Sequence, residues 1–179
     1  MLGIKIEVKS IGNVVSAFLS ISNAPGKFVF TSPKLSKRLE KIEFARDHMI
    51  GSISLGINFE AGICSWAGYN PVTNAYREIG GFSKFGIGTV AERLVLIEAK
   101  KMCPNLSMIY HLKPSPERIT QLLSRGLTIE EIENGYSYKR AISTLRHKIA
   151  TNKVKEIKRK RRVQRVRSVF GMFKRRTAK

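Results

Sequence analysis

The sequence predicts an α/β fold: a mixed sheet with flanking helices, followed by a basic helical extension. Three observations lead there. Apolar residues alternate with polar ones, or run continuously between turn signals, through much of residues 4–69, which is how strands read. An amphipathic helical pattern at 89–102 is followed at once by an apolar run at 106–112. The last 42 residues, 138–179, hold 17 of the 33 Lys and Arg and one acid, Glu156. They carry about +16 of the net +20, so the body, 1–137, is near balance. Such a split points to a polyanionic partner for the basic end.

The elements follow in order. Ile4-Lys5-Ile6-Glu7-Val8-Lys9 alternates as a half-buried strand. Residues 14–21 are mostly apolar and fit a short helix or a strand. Asn23-Ala24-Pro25-Gly26 reads as a turn and 27–30 as a short strand. In 33–44, Leu35, Leu39 and Ile42 have helical spacing. Residues 49–57 and 61–69 read as strands, the second closed by Asn70-Pro71. The helix at 89–102 is expected to turn Val90, Ala91, Leu94, Leu96 and Ile97 inward, with Glu92, Arg93, Lys100 and Lys101 facing out. Pro104 ends it. Residues 106–112 read as a buried strand. Ser115-Pro116-Glu117 opens a helix that runs to Arg125 and stops at Gly126.

Composition bounds the chemistry. With 179 residues, 42% of them apolar, the chain suffices for one core plus an appendage. Two cysteines, Cys64 and Cys103, make no disulfide framework and suit a reducing cytoplasm. His48, His111 and His147 lack metal-ligand spacing, so no metal is expected. The first residues lack the pattern of a signal peptide, and no run is long enough to span a membrane.

A glycine loop, Gly80-Gly81-Phe82-Ser83-Lys84-Phe85-Gly86-Ile87-Gly88-Thr89, precedes the long helix. Such a loop aims backbone N–H groups and the positive end of the helix dipole at one point, which can cradle a phosphate. By itself Gly86-x-Gly88 fits a plain turn equally well. With the helix, the next strand, Lys113-Pro114-Ser115-Pro116-Glu117-Arg118 and the helix ending Ser124-Arg125-Gly126-Leu127, it resembles the core of the GNAT family of N-acetyltransferases over about residues 49–127. The resemblance implies a GNAT-like mixed sheet that binds acetyl-CoA. Phe85, Gly86, Ile87, Gly88 and Thr89 would contact its pyrophosphate. If active, the protein would move the acetyl group to an amine. The pattern departs from the family at three places. Ser83 stands where Gln or Arg is usual, Leu122 where a general-acid Tyr is frequent, and Gly126-Leu127 replaces Gly-Phe. These departures fit a catalytically silent protein as well as an enzyme. Glu60 and Tyr110 are the candidate base and acid; a turn carboxylate and a core tyrosine are their plainer readings.

A second pattern overlaps the first. Residues 116–150 read as a helix-turn-helix, with Thr128 and Glu131 as a capping box and Ser137 capping a third helix. That helix would offer Tyr138, Lys139, Arg140, Ser143 and Arg146 to DNA and turn Ala141, Ile142 and Leu145 inward. The linking segment, 133–136, is short for the motif, and Glu133 stands where a small residue is usual.

Beyond Ala141 the helical pattern continues, with apolar Ile142, Leu145, Ile149, Val154, Ile157, Val163, Val166, Phe170 and Phe173 on one face. Basic residues crowd the others, densest at Lys158, Arg159, Lys160, Arg161, Arg162, Arg165 and Arg167. Nucleic acid or a nucleoprotein assembly is the first expected partner. An anionic membrane surface and a protein groove holding the apolar stripe also fit. Function thus divides three ways: a GNAT-like acetyl-CoA binder with a nucleic-acid-binding extension, a helix-turn-helix regulator, or a structural component of a nucleoprotein or virion particle.

Overall fold

A computed structural model describes residues 2–23, 29–40, 49–71 and 86–145. Seven strands form one sheet, in the order β3-β1-β2-β4-β5-β6-β7. The strands are β1 (Gly3–Ile11), β2 (Val14–Ser22), β3 (Val29–Thr31), β4 (Met49–Asn58), β5 (Ile63–Pro71), β6 (Met108–His111) and β7 (Tyr136–Ser137). The described helices are α1 (Pro33–Leu39), α2 (Ile87–Met102), α3 (Pro116–Leu123), α4 (Ile129–Asn134) and α5, residues 138–145. The mixed α/β architecture expected from the sequence is present.

From β3 across to β5 every neighbouring pair is antiparallel, with β3 beside β1 and β4 beside β2. Then β6 pairs parallel to β5, in the register Cys64↔Ile109 and Trp66↔His111. Parallel neighbours need a crossover, and α2 supplies it. Residues 14–22 form a strand rather than a helix because every second side chain, Val15, Ala17, Leu19 and Ile21, is buried. They face Ile4 and Ile6 of β1 and Ile53, Leu55 and Ile57 of β4 in one core, and α2 packs on β1, β2 and β4.

The phase of α2 differs from expectation. Its buried face is Ile87, Gly88, Ala91, Glu92, Val95, Leu96 and Ala99, while Ile97 is exposed and Val90 and Leu94 only partly covered. Spacings of three and four connect Gly88, Ala91, Glu92, Val95 and Ala99, so a carboxylate lies on the core face. Glu92 is 2% exposed and does not face out as expected. The strand at 106–112 is shorter than expected. Leu106 is buried ahead of it, and Leu112 lies beyond it at 66% exposure.

After β6 the chain makes α3 and α4, then returns to the sheet. Ser137 and Tyr136 of β7 pair with Met108 and Ile109. Gly135 makes this return possible. Its φ is +84°, and a Cβ there would lie 2.6 Å from the Tyr110 ring. Ser137 then caps α5 by accepting from the Arg140 N–H at 3.2 Å, and Ala141 and Leu145 of α5 join the core. The first compact unit is Met1–Leu145, so the boundary expected after residue 137 falls inside the body. The second unit, Arg146–Lys179, lies outside the described residues. No helix among the described residues is long and apolar enough to cross a membrane.

Candidate functional site

The site is built where β5, β6 and α2 meet. A short turn joins Met102 to Met108, and Lys100 pins it by donating to the carbonyls of Pro104 at 2.7 Å and Leu106 at 2.8 Å. The carboxyl end of α2 therefore sits at the start of β6. Its amino end points toward the other end of the strand pair. Gly86 is the N-cap, left-handed at φ 74°, and no side chain among the described residues caps the helix. The Gly86 carbonyl accepts from Val90 at 3.2 Å. The N–H groups of Ile87, Gly88 and Thr89 precede any intrahelical acceptor, and the helix dipole adds positive potential there. Gly86 is half-buried and those three residues are buried. Phe85 lies outside the described residues.

The two strands part beyond their short parallel pairing, and Glu92 of α2 reaches this region through Arg118. Pairing stops at Trp66↔His111, while β5 continues to Pro71. The pairing between β4 and β5 also shifts there. Leu55 faces Trp66 and Ser54 faces Gly68, so Ala67 is an extra residue, a bulge in β5. The opening is a cleft of about 240 Å³ lined by apolar Ile53, Trp66, Leu112 and Pro114 and by polar His111, Lys113, Ser115 and Arg118.

A buried charge cluster backs the cleft. Glu92 accepts from Arg118 at 2.9 Å and from both terminal nitrogens of Arg125, one of them at 3.1 Å. Gln121 also accepts from Arg118. Arg125 is 7% exposed, and its Nε has no hydrogen-bond partner. Burial alone would raise the Glu92 carboxyl, but Arg118 and Arg125 outweigh it and hold the group well below the usual carboxylate range. Glu92 is therefore ionised throughout the neutral range.

Three rings border the cluster. Trp66 stacks on His111 at 6.4 Å between centroids, and His111 on Tyr136 at 5.7 Å. His111 Nε2 and Tyr136 Oη share a hydrogen bond of 2.7 Å. Burial, then the charge of Arg118, pushes His111 down to about 3. Burial pushes the Tyr136 phenol above its usual range and, with Cys103 adding to it, the Cys64 thiol up to about 12. At neutral pH the imidazole, the phenol and the thiol are all uncharged. A histidine held near 3 is a weak general base.

The other expected residues lie elsewhere. Glu60 is exposed in the β4–β5 turn, at the opposite end of β5 from the cleft. Tyr110 lines a second cavity of about 550 Å³ with Asn13, Asn58, Ser65 and Glu133; His111 and Leu112 border both cavities. Leu122, where the resemblance expects an acid, is 1% exposed in the core.

The helical pieces expected at 116–145 are present, and so is the capping box. Thr128 N–H donates to Glu131 at 2.8 Å and Glu131 N–H to Thr128 Oγ1 at 3.1 Å. The segment between α4 and α5, however, is strand β7. Arg140 is engaged within the body, donating to Glu131 at 2.7 Å and to the Gly126 carbonyl. Lys139 is exposed. Arg146, Lys158, Arg159, Lys160, Arg161, Arg162, Arg165 and Arg167 lie outside the described residues.

Sequence reasoning missed Trp66, Glu92, His111, Arg118, Arg125 and Tyr136 as one group. They come from β5, α2, β6, α3, the turn after it and β7, and no local spacing links them. Among the described residues no three His, Cys, Asp or Glu side chains are placed to hold a metal ion. No family model, no curated protein and no solved structure matches the chain.

Proposed function

We propose that residues 1–145 form a GNAT-like domain that binds acetyl-CoA, and that the basic residues after it attach it to nucleic acid or a nucleoprotein assembly. One observation carries the first half: the crossover helix between parallel β5 and β6 opens at left-handed Gly86, with no side-chain cap among the described residues. The pyrophosphate would meet the N–H groups from Gly86 to Thr89. Among the described residues the cleft lining offers a neutral imidazole and no carboxylate, and Leu122 is core. A binding protein without transferase activity fits this better than an enzyme does. The second half rests on charge: residues 146–179 hold 15 Lys and Arg against Glu156 alone. The two free thiols suit a cytoplasmic setting.

Acetyl-CoA at about 1 mM should raise the melting temperature by several degrees. Gly86→Asp provides the control. A Cβ at Gly86 meets nothing within 4 Å, and aspartate is among the residues that tolerate a left-handed φ. The variant should fold and lose the shift, because its carboxylate repels the pyrophosphate. No shift in the native chain removes acetyl-CoA from the proposal. RNA and DNA binding should weaken steeply with salt and vanish on truncation after Leu145. Binding to anionic vesicles with none to nucleic acid would reassign the extension to a membrane surface.

The helix-turn-helix reading has one observation in its favour, the capped α5 with Ala141 and Leu145 inward. It predicts that Arg140→Ala with Arg146→Ala relaxes base preference while truncation after residue 152 leaves it intact.

A further inference from the structure

The sheet has a second face, turned away from α2. Ile57, Cys64 and Ile109 stand side by side across β4, β5 and β6 and belong to the core shared with α2. One residue along each strand, Gly56, Ser65 and Tyr110 are also side by side. Side chains alternate along a strand, so these three share the opposite face. The second cavity lies there. Its volume, about 550 Å³, falls within the roughly 300–1,000 Å³ of small-molecule sites. Asn13 reaches it from the β1–β2 turn, Asn58 from the end of β4, and Glu133 from α4, which packs on β6.

Gly56 forms part of its floor. Glycine within a strand weakens pairing and often marks a bulge, a bend, or the close approach of another backbone or a ligand. Here the register is regular on both sides, Val14↔Gly56 and Gly56↔Ser65, and the bulge at Ala67 lies beyond the next pair. A Cβ at Gly56 would meet nothing nearer than the Ser65 carbonyl at 4.0 Å. Neither a bulge nor a neighbouring backbone accounts for this glycine, and its missing side chain leaves a slot between Val14 and Ser65.

The walls carry a mixed set of hydrogen-bonding groups. Asn13 donates through Nδ2 to the Ile57 carbonyl at 3.3 Å, which leaves Oδ1 to accept. Asn58 accepts through Oδ1 from the Ala61 N–H at 3.1 Å, which leaves Nδ2 to donate. Among the described residues the hydroxyls of Ser65 and Tyr110 and the carboxylate of Glu133 have no partner. The close approach of Gly135 holds the Tyr110 ring in place. Glu133 is the one acid among the described lining residues, and none of them is Lys or Arg.

This set selects the ligand. An anion would face Glu133 with no cation to offset it. An ammonium could use Glu133 and Asn13 but not the Asn58 donor. A hydroxyl both donates and accepts, so neighbouring hydroxyls match the whole set. Ile63 and Leu112, the latter 66% exposed, can meet the C–H faces of a ring.

We propose that this cavity binds a neutral polyhydroxylated ring, a sugar, with its hydroxyls on Asn13, Asn58, Ser65, Tyr110 and Glu133 and its body over Gly56. The assignment rests on the cavity's own lining and stands apart from acetyl-CoA binding at Gly86.

The isotope-labelled full chain is titrated with glucose, galactose, mannose, N-acetylglucosamine and ribose while its amide resonances are followed. Ethylamine, acetate and tetrahydropyran serve as cationic, anionic and hydroxyl-free comparisons. Saturable shifts centred on Gly56, Ser65 and Tyr110 with at least one sugar, about tenfold or more weaker with all three comparisons, support the proposal. Gly56→Val puts a side chain into the slot without a clash and favours the strand. It should keep or raise the melting temperature while weakening sugar binding about tenfold or more. Tyr110→Phe and Glu133→Gln should each weaken it about two- to tenfold. The proposal is overturned by no saturation with any of these sugars up to about 100 mM. Native affinity in Gly56→Val, equal binding of a comparison compound, or saturable shifts centred elsewhere also overturn it. Unchanged affinity in both Tyr110→Phe and Glu133→Gln does so whether or not Gly56→Val folds. Sugar binding in a chain that ignores acetyl-CoA leaves it standing; acetyl-CoA binding without sugar binding defeats it alone.

Discussion

Two of the ion-pair groups in this body differ in almost everything but their chemistry. Glu92 with Arg118 and Arg125 is buried, with side-chain exposures of 2%, 13% and 2%. Glu131 with Arg140 sits at the surface, at 27% and 40%. Water screens the second pair and does nothing for the first. The buried group therefore projects its field onto neighbours, and His111 feels it; the exposed pair reaches only its own partners. Attraction between charges that have already lost their water is strong, but losing the water was costly. The buried group is thus a weak source of net stability and a severe point of failure.

Removing its centre should have the largest effect. Glu92→Ala leaves two guanidinium groups without their shared carboxylate and should cost about 3–5 kcal/mol, read from urea denaturation. Replacing Glu92, Arg118 and Arg125 together by Met or Leu should recover most of that loss. If the single variant costs no more than a surface pair, the contrast between the two groups fails.

The next effect is on pH dependence. His111 is held near 3 in the folded chain against an ordinary 6.5. Above 6.5 both states are neutral there. As pH falls, the unfolded chain takes up a proton that the folded chain refuses, so stability is lost between 6.5 and 3. The melting temperature should decline from pH 6.5 downward, and His111→Gln should flatten that decline until carboxylates titrate near 4.5. Glu92, also depressed, adds its own loss only at lower pH. An unchanged slope in His111→Gln would mean that burial and Arg118 do not hold the imidazole down.

The smallest effect belongs to the exposed pair. Arg140→Met removes its bonds to Glu131 and Gly126 and should cost about 0.2–1 kcal/mol, less at high salt. A larger cost would mean that α5 is fastened by this contact rather than by Ala141 and Leu145.

The sheet was readable because strands announce themselves locally. In β1 Ile4, Ile6 and Val8 alternate with polar residues, so sequence and burial share a period of two, whereas Val14 and Phe18 on the other face of β2 left a helix open there. The direction of β6 was readable only through the helix before it. The phase of α2 was not readable. A carboxylate at 92 looks like a solvent residue until its partners, 26 and 33 positions later, are known. The same separation hid the cleft. Gly86 marked one edge because a glycine before a helix has local meaning, but Trp66, His111 and Tyr136 meet only once three strands have paired. The two-residue β7 carried no periodic signal, and its helix-rich surroundings read as a three-helix motif instead.

The brevity of β7 has a mechanical consequence. Tension applied through the chain beyond Leu145 enters the sheet by way of α5 and two paired residues, whereas β1 and β2 share nine. Strand β7 is the place to peel first, and peeling it takes the Tyr136 hydroxyl from His111 before the rest of the sheet bears any load.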